Sequence, residues 1–202
     1  MSSQLFKQDV LFYQRFLKAN GFYPFKLDGI WGPKTDAADT AFQNESETIK
    51  ENHGSFHPRS ETNIFTLAPK VQVLSRKFLE IMTNNGLDVR IISGTRTYAE
   101  QDALFRKGRF GNPGPIVTKA KGGQSNHNFG LAWDIGLFED GKYITKDKKY
   151  KDIAPLVLGV LLNLEWGGNW ISFPDAPHYQ HTALSTTVSG VRALFEQGKP
   201  YL

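Results

Sequence analysis

Apolar residues recur at helical spacing from the first turns of the chain. Val10, Leu11, Tyr13, Phe16 and Leu17 mark one helix, and Gly21 stands where its C-cap belongs. Asp28-Gly29 signals a turn, and Gly32-Pro33 opens a second helix with Ala37, Ala38, Ala41 and Phe42 on one side. Residues 43–62 are polar, lack apolar periodicity and read as a connection. A helix follows with Pro69 in its first turn, a stripe of Val71, Leu74, Phe78, Ile81 and Met82, and Gly86 at its end. Val89 to Ser93 is β-rich. Thr97-x-x-Glu100 is a capping box that opens a helix through Ala103, Leu104 and Phe105.

Residues 108–124 hold five Gly and two Pro, so they form a long loop, and long loops in compact domains often border a site. Gly130 to Phe138 reads as a strand, Asp140-Gly141 as a hairpin turn into a second strand, and His178 to His181 as a third. Ile153, Leu156, Val157, Val160, Leu161 and Leu164 predict an apolar helix, and Val188, Val191, Leu194 and Phe195 a last one. Strands and helices that do not alternate strictly predict an α+β fold, with a small antiparallel sheet flanked by helices. The chain shows no internal repeat.

Composition narrows the chemistry. The 202 residues are 40% hydrophobic and 22% charged, ordinary for a globular protein. With no cysteine, disulfides and thiolate metal sites are excluded, so any metal is held by His, Asp, Glu or other oxygen ligands. The net charge of +4 suits weak attraction to an anionic polymer. Without a Lys/Arg block, zinc-finger spacing or an aromatic RNA-binding signature, nucleic acid is not expected as a partner. The longest apolar run, Ala154 to Leu164, is too short to span a membrane, and it contains Pro155, Gly159 and Asn163. The first residues lack a signal-peptide pattern, so the expectation is synthesis and retention in the cytoplasm. A monomer is the default.

Two clusters pair imidazole with carboxylate beside glycines or a proline. One is Ser125-Asn126-His127-Asn128-Phe129-Gly130-Leu131-Ala132-Trp133-Asp134. The other runs from Glu165-Trp166-Gly167-Gly168-Asn169-Trp170 to Asp175-Ala176-Pro177-His178. A hydrolytic zinc site takes three protein ligands and leaves a fourth position for water; His127, Asp134 and His178 supply such a set. Positions seven apart on an unbroken strand face opposite sides, so His127 and Asp134 can share an ion only if the chain bends near Gly130. Asp175, three residues before His178, is placed to carry a proton from water to a leaving amine. Arg96, in Ser93-Gly94-Thr95-Arg96, can stabilise an oxyanion or clamp a carboxylate. His53 and His57 read as solvated histidines. His181 reads as a decoy or a substrate contact rather than a ligand, and Trp166 and Trp170 as packing.

Ser125-x-His127-x-x-Gly130-x-Ala132-x-Asp134 followed by Asp175-x-x-His178 resembles the zinc D,D-peptidase and L-alanyl-D-glutamate peptidase family. Arg59-Ser60-Glu61-x-Asn63-Ile64-x-Thr66-Leu67, Ile92 to Gln101 and Trp166 to Trp170 extend the likeness over most of 58–182. The resemblance implies Zn2+ held by His127, Asp134 and His178, with Asp175 as catalytic acid/base and Arg96 polarising the scissile carbonyl. Asp28-Gly29-x-Trp31-Gly32-Pro33-x-Thr35 resembles a three-helix peptidoglycan-binding domain. The implied organisation is a wall-binding domain over 1–46, a linker over 47–62 and a catalytic domain over 63–202. The implied activity is endolysin-type cleavage of the L-alanyl-D-glutamate bond of peptidoglycan stem peptides, after release from the host cytoplasm. A D-alanyl-D-alanine carboxypeptidase or dipeptidase is the alternative on the same scaffold.

Overall fold

The computed structural model describes residues 6–145, 147–182 and 187–202. In chain order its elements are α1 (Lys7–Ala19), α2 (Pro33–His53), α3 (Pro58–Ile64), α4 (Pro69–Asn84), β1 (Asp88–Ser93), α5 (Tyr98–Arg106), a 3-10 turn (Asn126–Phe129), β2 (Ala132–Glu139), β3 (Lys142–Ile144), α6 (Asp147–Ile153), α7 (Pro155–Leu158), β4 (Leu164–Trp166), a second 3-10 turn (Gly167–Asn169), β5 (His178–His181) and α8 (Val188–Glu196). Antiparallel sheet and helices coexist as expected for an α+β fold. Among the described residues, no helix is long and apolar enough to cross a membrane.

The described residues divide into two compact units. One gathers Met1–Glu45, Arg96–Phe129 and Leu184–Leu202; the other gathers Ser46–Thr95 and Gly130–Ala183. In the first unit an aromatic cluster joins distant segments: Phe12 meets the rings of Tyr98 and Phe195, and Phe129 meets Phe195 and Tyr201. The Tyr201 hydroxyl donates to the Phe129 carbonyl at 2.6 Å. Buried Gln14 holds the Asp28-Gly29 turn, accepting from both backbone N–H groups and donating to Asp28 Oδ1, the Ile30 carbonyl and Thr35 Oγ1. Among the described residues up to 46 there are only α1 and the start of α2, not three helices.

The expected linker over 47–62 is largely helical. Helix α2 continues to His53, and α3 begins at Pro58 with His57 as its N-cap, Nδ1 accepting from the Arg59 N–H at 3.1 Å. The buried stripe of α2 runs through Ala38, Phe42, Ser46 and Ile49. Its polar member, Ser46, accepts a hydrogen bond from Gln72 of α4, so the stripe carries a hydroxyl where an apolar pattern breaks off. The apolar helix expected over 153–164 is shorter too. Pro155 removes a donor at the end of α6, Asn163 takes a positive φ of 62°, and Leu164 leaves helical geometry to pair with His181.

In the second unit the strands are ordered β1-β2-β5-β4, with β3 also pairing β2, all antiparallel. Residues of the Arg59–Thr66 motif brace β1. Ser60 Oγ accepts from the Ile91 N–H and Asn63 Nδ2 donates to the Ile91 carbonyl. Glu61 accepts a two-pronged bond from Arg76, whose side chain is fully buried and also reaches the Gly54 carbonyl. Alternation along the strands then sorts side chains between two faces. Trp133, Tyr179 and Trp166 face the core, with Phe78 of α4 edge-on to Trp133 and Tyr179. Asp134, His178, Gln180 and Glu165 take the other face.

Candidate metal centre

His127, Asp134 and His178 converge: each offers a ligand atom, and these atoms all lie within 4.8 Å of one another. Three local features place them. His127 sits in the 3-10 turn Asn126–Phe129, which is latched to the segment before α5. The Arg96 N–H donates to the His127 carbonyl at 3.0 Å, and Asn128 Nδ2 donates back to the Arg96 carbonyl at 2.9 Å. The chain then bends at Gly130, whose φ of 69° lies where a side chain is strained. The bend required for His127 and Asp134 to share an ion is therefore present.

Asp134 of β2 pairs directly with His178 of β5, and Asp134 Oδ1 lies 3.2 Å from His178 Nδ1. Two ligand atoms about 2.05 Å from a tetrahedral ion are about 3.3 Å apart, so this spacing already matches one edge of a zinc site. Two imidazoles and one carboxylate, with no thiolate, also suit zinc and leave a coordination position free. His178 is almost fully buried. Burial opposes the imidazolium, but the hydrogen bond and charge of Asp134, the Gln180 bond and the charge of Asp175 outweigh it, leaving the group above its ordinary pKa.

Asp175 enters through a tight turn. The His178 N–H donates to the Asp175 carbonyl at 3.2 Å, and the Asp175 N–H donates to the Gly167 carbonyl at 3.0 Å. A Cβ on Gly167 would sit 2.8 Å from the Asp175 carbonyl oxygen and 3.0 Å from His178 Cβ, so only glycine lets the two segments close. Arg96 is half-buried, and its guanidinium makes a long contact of 3.4 Å with Gln101 Oε1.

His181 falls outside the group. Three residues from His178 on one strand, it points to the opposite face; its Nδ1 is buried without a hydrogen-bond partner among the described residues, and burial first, then Lys70, lowers its pKa. His53 ends α2 and His57 caps α3. Three further side chains gather at His178 that ligand spacing did not single out. Gln180 Oε1 is 3.0 Å from His178 Nε2, Glu165 Oε2 accepts from Gln180 at 2.8 Å, and Glu165 Oε1 accepts from Trp170 Nε1 at 2.6 Å. The i, i+2 spacing of His178 and Gln180 was the available signal, since it puts both on one strand face. Trp166, expected as packing, is buried and donates to the Ala176 carbonyl.

Known proteins bear on the site at this point. Residues 118–181 match a family described as D-alanyl-D-alanine carboxypeptidase. The chain is 39% identical over 105 residues to the peptidoglycan L-alanyl-D-glutamate endopeptidase CwlK of Bacillus subtilis (strain 168), spanning 48% of this chain and 62% of that one. It is 32% identical over 129 residues to the L-alanyl-D-glutamate peptidase of Listeria phage A118, spanning 62% of this chain and 41% of the relative. The chain thus spans less than two thirds of the length of either relative. The crystal structure of the L-Ala D-Glu endopeptidase ChiX of Serratia marcescens aligns at a TM-score of 0.49 and 26% identity, covering 63% of this chain and 89% of ChiX.

Proposed function

We propose, taking the similarity to peptidoglycan L-alanyl-D-glutamate peptidases as the premise, that this chain is a zinc metallopeptidase that hydrolyses the L-alanyl-D-glutamate bond of peptidoglycan stem peptides. The observation that carries the reading is that His127, Asp134 and His178 each offer a ligand atom and that these atoms lie within 4.8 Å of one another. Zinc held by these three would supply a Lewis acid that polarises a carbonyl and acidifies water. Asp175 takes the proton released as water attacks and returns it to the leaving amine. Its turn onto His178 supports that role. Arg96 stabilises the oxygen that becomes negative, and its backbone pairing with the His127 turn supports a place beside the reaction. Both curated relatives carry names for cleavage at L-Ala-D-Glu, which favours that bond over the D-alanyl-D-alanine bond named by the matched family.

In the same reading the protein acts as an endolysin, and the N-terminal region holds the wall polymer. Exposed Trp31 stacks parallel on Tyr13 at 5.9 Å, next to exposed Ile30, while Lys34 covers exposed Phe25. Flat apolar faces beside a cation suit sugar rings bearing carboxylates.

Mass spectrometry of purified peptidoglycan digested with and without a zinc chelator tests the reaction. New D-Glu amino termini that vanish with the chelator are expected. Release of D-Ala would transfer the assignment to a carboxypeptidase, and chelator-insensitive cleavage would remove the metal from it.

A further inference from the structure

We propose that Gln180 and Glu165 form a relay that positions His178, fixing its tautomer and ring orientation so that Nδ1 is the metal-binding atom. The inference rests on the metal centre argued above. His178 turns Nδ1 toward Asp134 and Nε2 toward Gln180 Oε1, at 3.2 and 3.0 Å. An imidazole that ligates through Nδ1 must keep its proton on Nε2, and an amide oxygen, which only accepts, stabilises that tautomer.

Glu165 decides which end of the Gln180 amide faces the histidine. A carboxylate only accepts, so the 2.8 Å bond from Gln180 Nε2 to Glu165 Oε2 leaves Gln180 Oε1 for His178. The second carboxylate oxygen is held by Trp170 Nε1 at 2.6 Å. The Trp170 ring returns onto His178, centroids 4.8 Å apart and planes at 45°, so the chain of contacts closes on the ligand it orients. Sheet register sets the arrangement: Gln180 is the direct cross-strand partner of Glu165, and it lies two residues from His178 on the same face. Partners of this kind commonly change metal affinity about 10- to 100-fold when removed.

Titration of zinc against a chromogenic chelator, with circular dichroism to verify folding, tests the relay. Gln180→Met removes the acceptor and is expected to weaken zinc binding about 10- to 100-fold with folding unchanged. Glu165→Gln frees the amide to turn and is expected to weaken binding less. The exchanged pair, Gln180→Glu with Glu165→Gln, restores the order: a carboxylate at position 180 accepts from His178, and an amide at position 165 donates to it while accepting from Trp170. Zinc affinity is therefore expected to return close to that of the unaltered protein, a recovery that a merely structural ladder would not produce. Unchanged affinity in Gln180→Met, or no recovery in the exchanged pair, overturns the relay and leaves the centre standing. Failure of the unaltered protein to take up zinc overturns the centre itself. Should Gln180→Met not fold, Glu165→Gln and the exchanged pair decide the matter.

Discussion

Strands β2, β5 and β4 carry two sets of side chains offset by one residue. Trp133, Tyr179 and Trp166 stack along the core face, with neighbouring centroids 6.3 and 6.4 Å apart. Asp134, His178, Gln180 and Glu165 line the other face and are linked in sequence by hydrogen bonds. The first set draws its energy from area removed from water, which tolerates small errors in angle. The second depends on hydrogen bonds and ligand spacing, which do not. Rigidity made on one face is thus used as precision on the other. Changes on the core face should cost stability, and changes on the polar face should cost chemistry.

The largest effect that would test this separation is His178→Ala. Zinc uptake and wall cleavage are expected to disappear while circular dichroism stays native; retained cleavage would dissolve the distinction between the faces. Asp175→Asn should leave zinc binding intact and lower turnover about 10²- to 10⁴-fold, read from the release of D-Glu amino termini. On the core face, Trp133→Ala should cost about 3–5 kcal/mol in denaturant unfolding, since the ring is fully buried. Tyr179→Phe should go the other way by about 1 kcal/mol, because its buried hydroxyl finds no partner among the described residues.

The smallest effect concerns His181. Burial and Lys70 hold its pKa below the ordinary 6.5, so below that pH the unfolded chain binds more protons than the folded one. Its contribution is present above about pH 6.5 and lost as the pH falls through the lowered value. His181→Leu should flatten the fall of the melting temperature as the pH drops below about 6.5.

The grouping of His127, Asp134 and His178 was legible in the sequence because few residue types can hold a metal without cysteine and because a bend at Gly130 could be required from strand alternation alone. The turn that brings Asp175 onto His178 was readable from the three-residue offset across Pro177. Strands β1, β2 and β5 and the helices with clean apolar stripes were readable from periodicity. The Gln180–Glu165 pairing was not. It joins residues 15 apart across a three-residue strand too short to show alternation. The continuation of α2 escaped for a different reason: Ser46 stands in its buried stripe, and its partner Gln72 lies 26 residues away. Likewise nothing local announces that Glu61 meets a fully buried Arg76.

The cluster that joins Phe12 to Tyr98, Phe195 and, through Phe195, Phe129 bears on where the chain can be cut. A cut after residue 46 would strip Phe12 from the rings of Tyr98 and Phe195, contributed by two later segments. Shortening the chain from its N-terminal side therefore calls for the helix that carries Phe12 to be left in place.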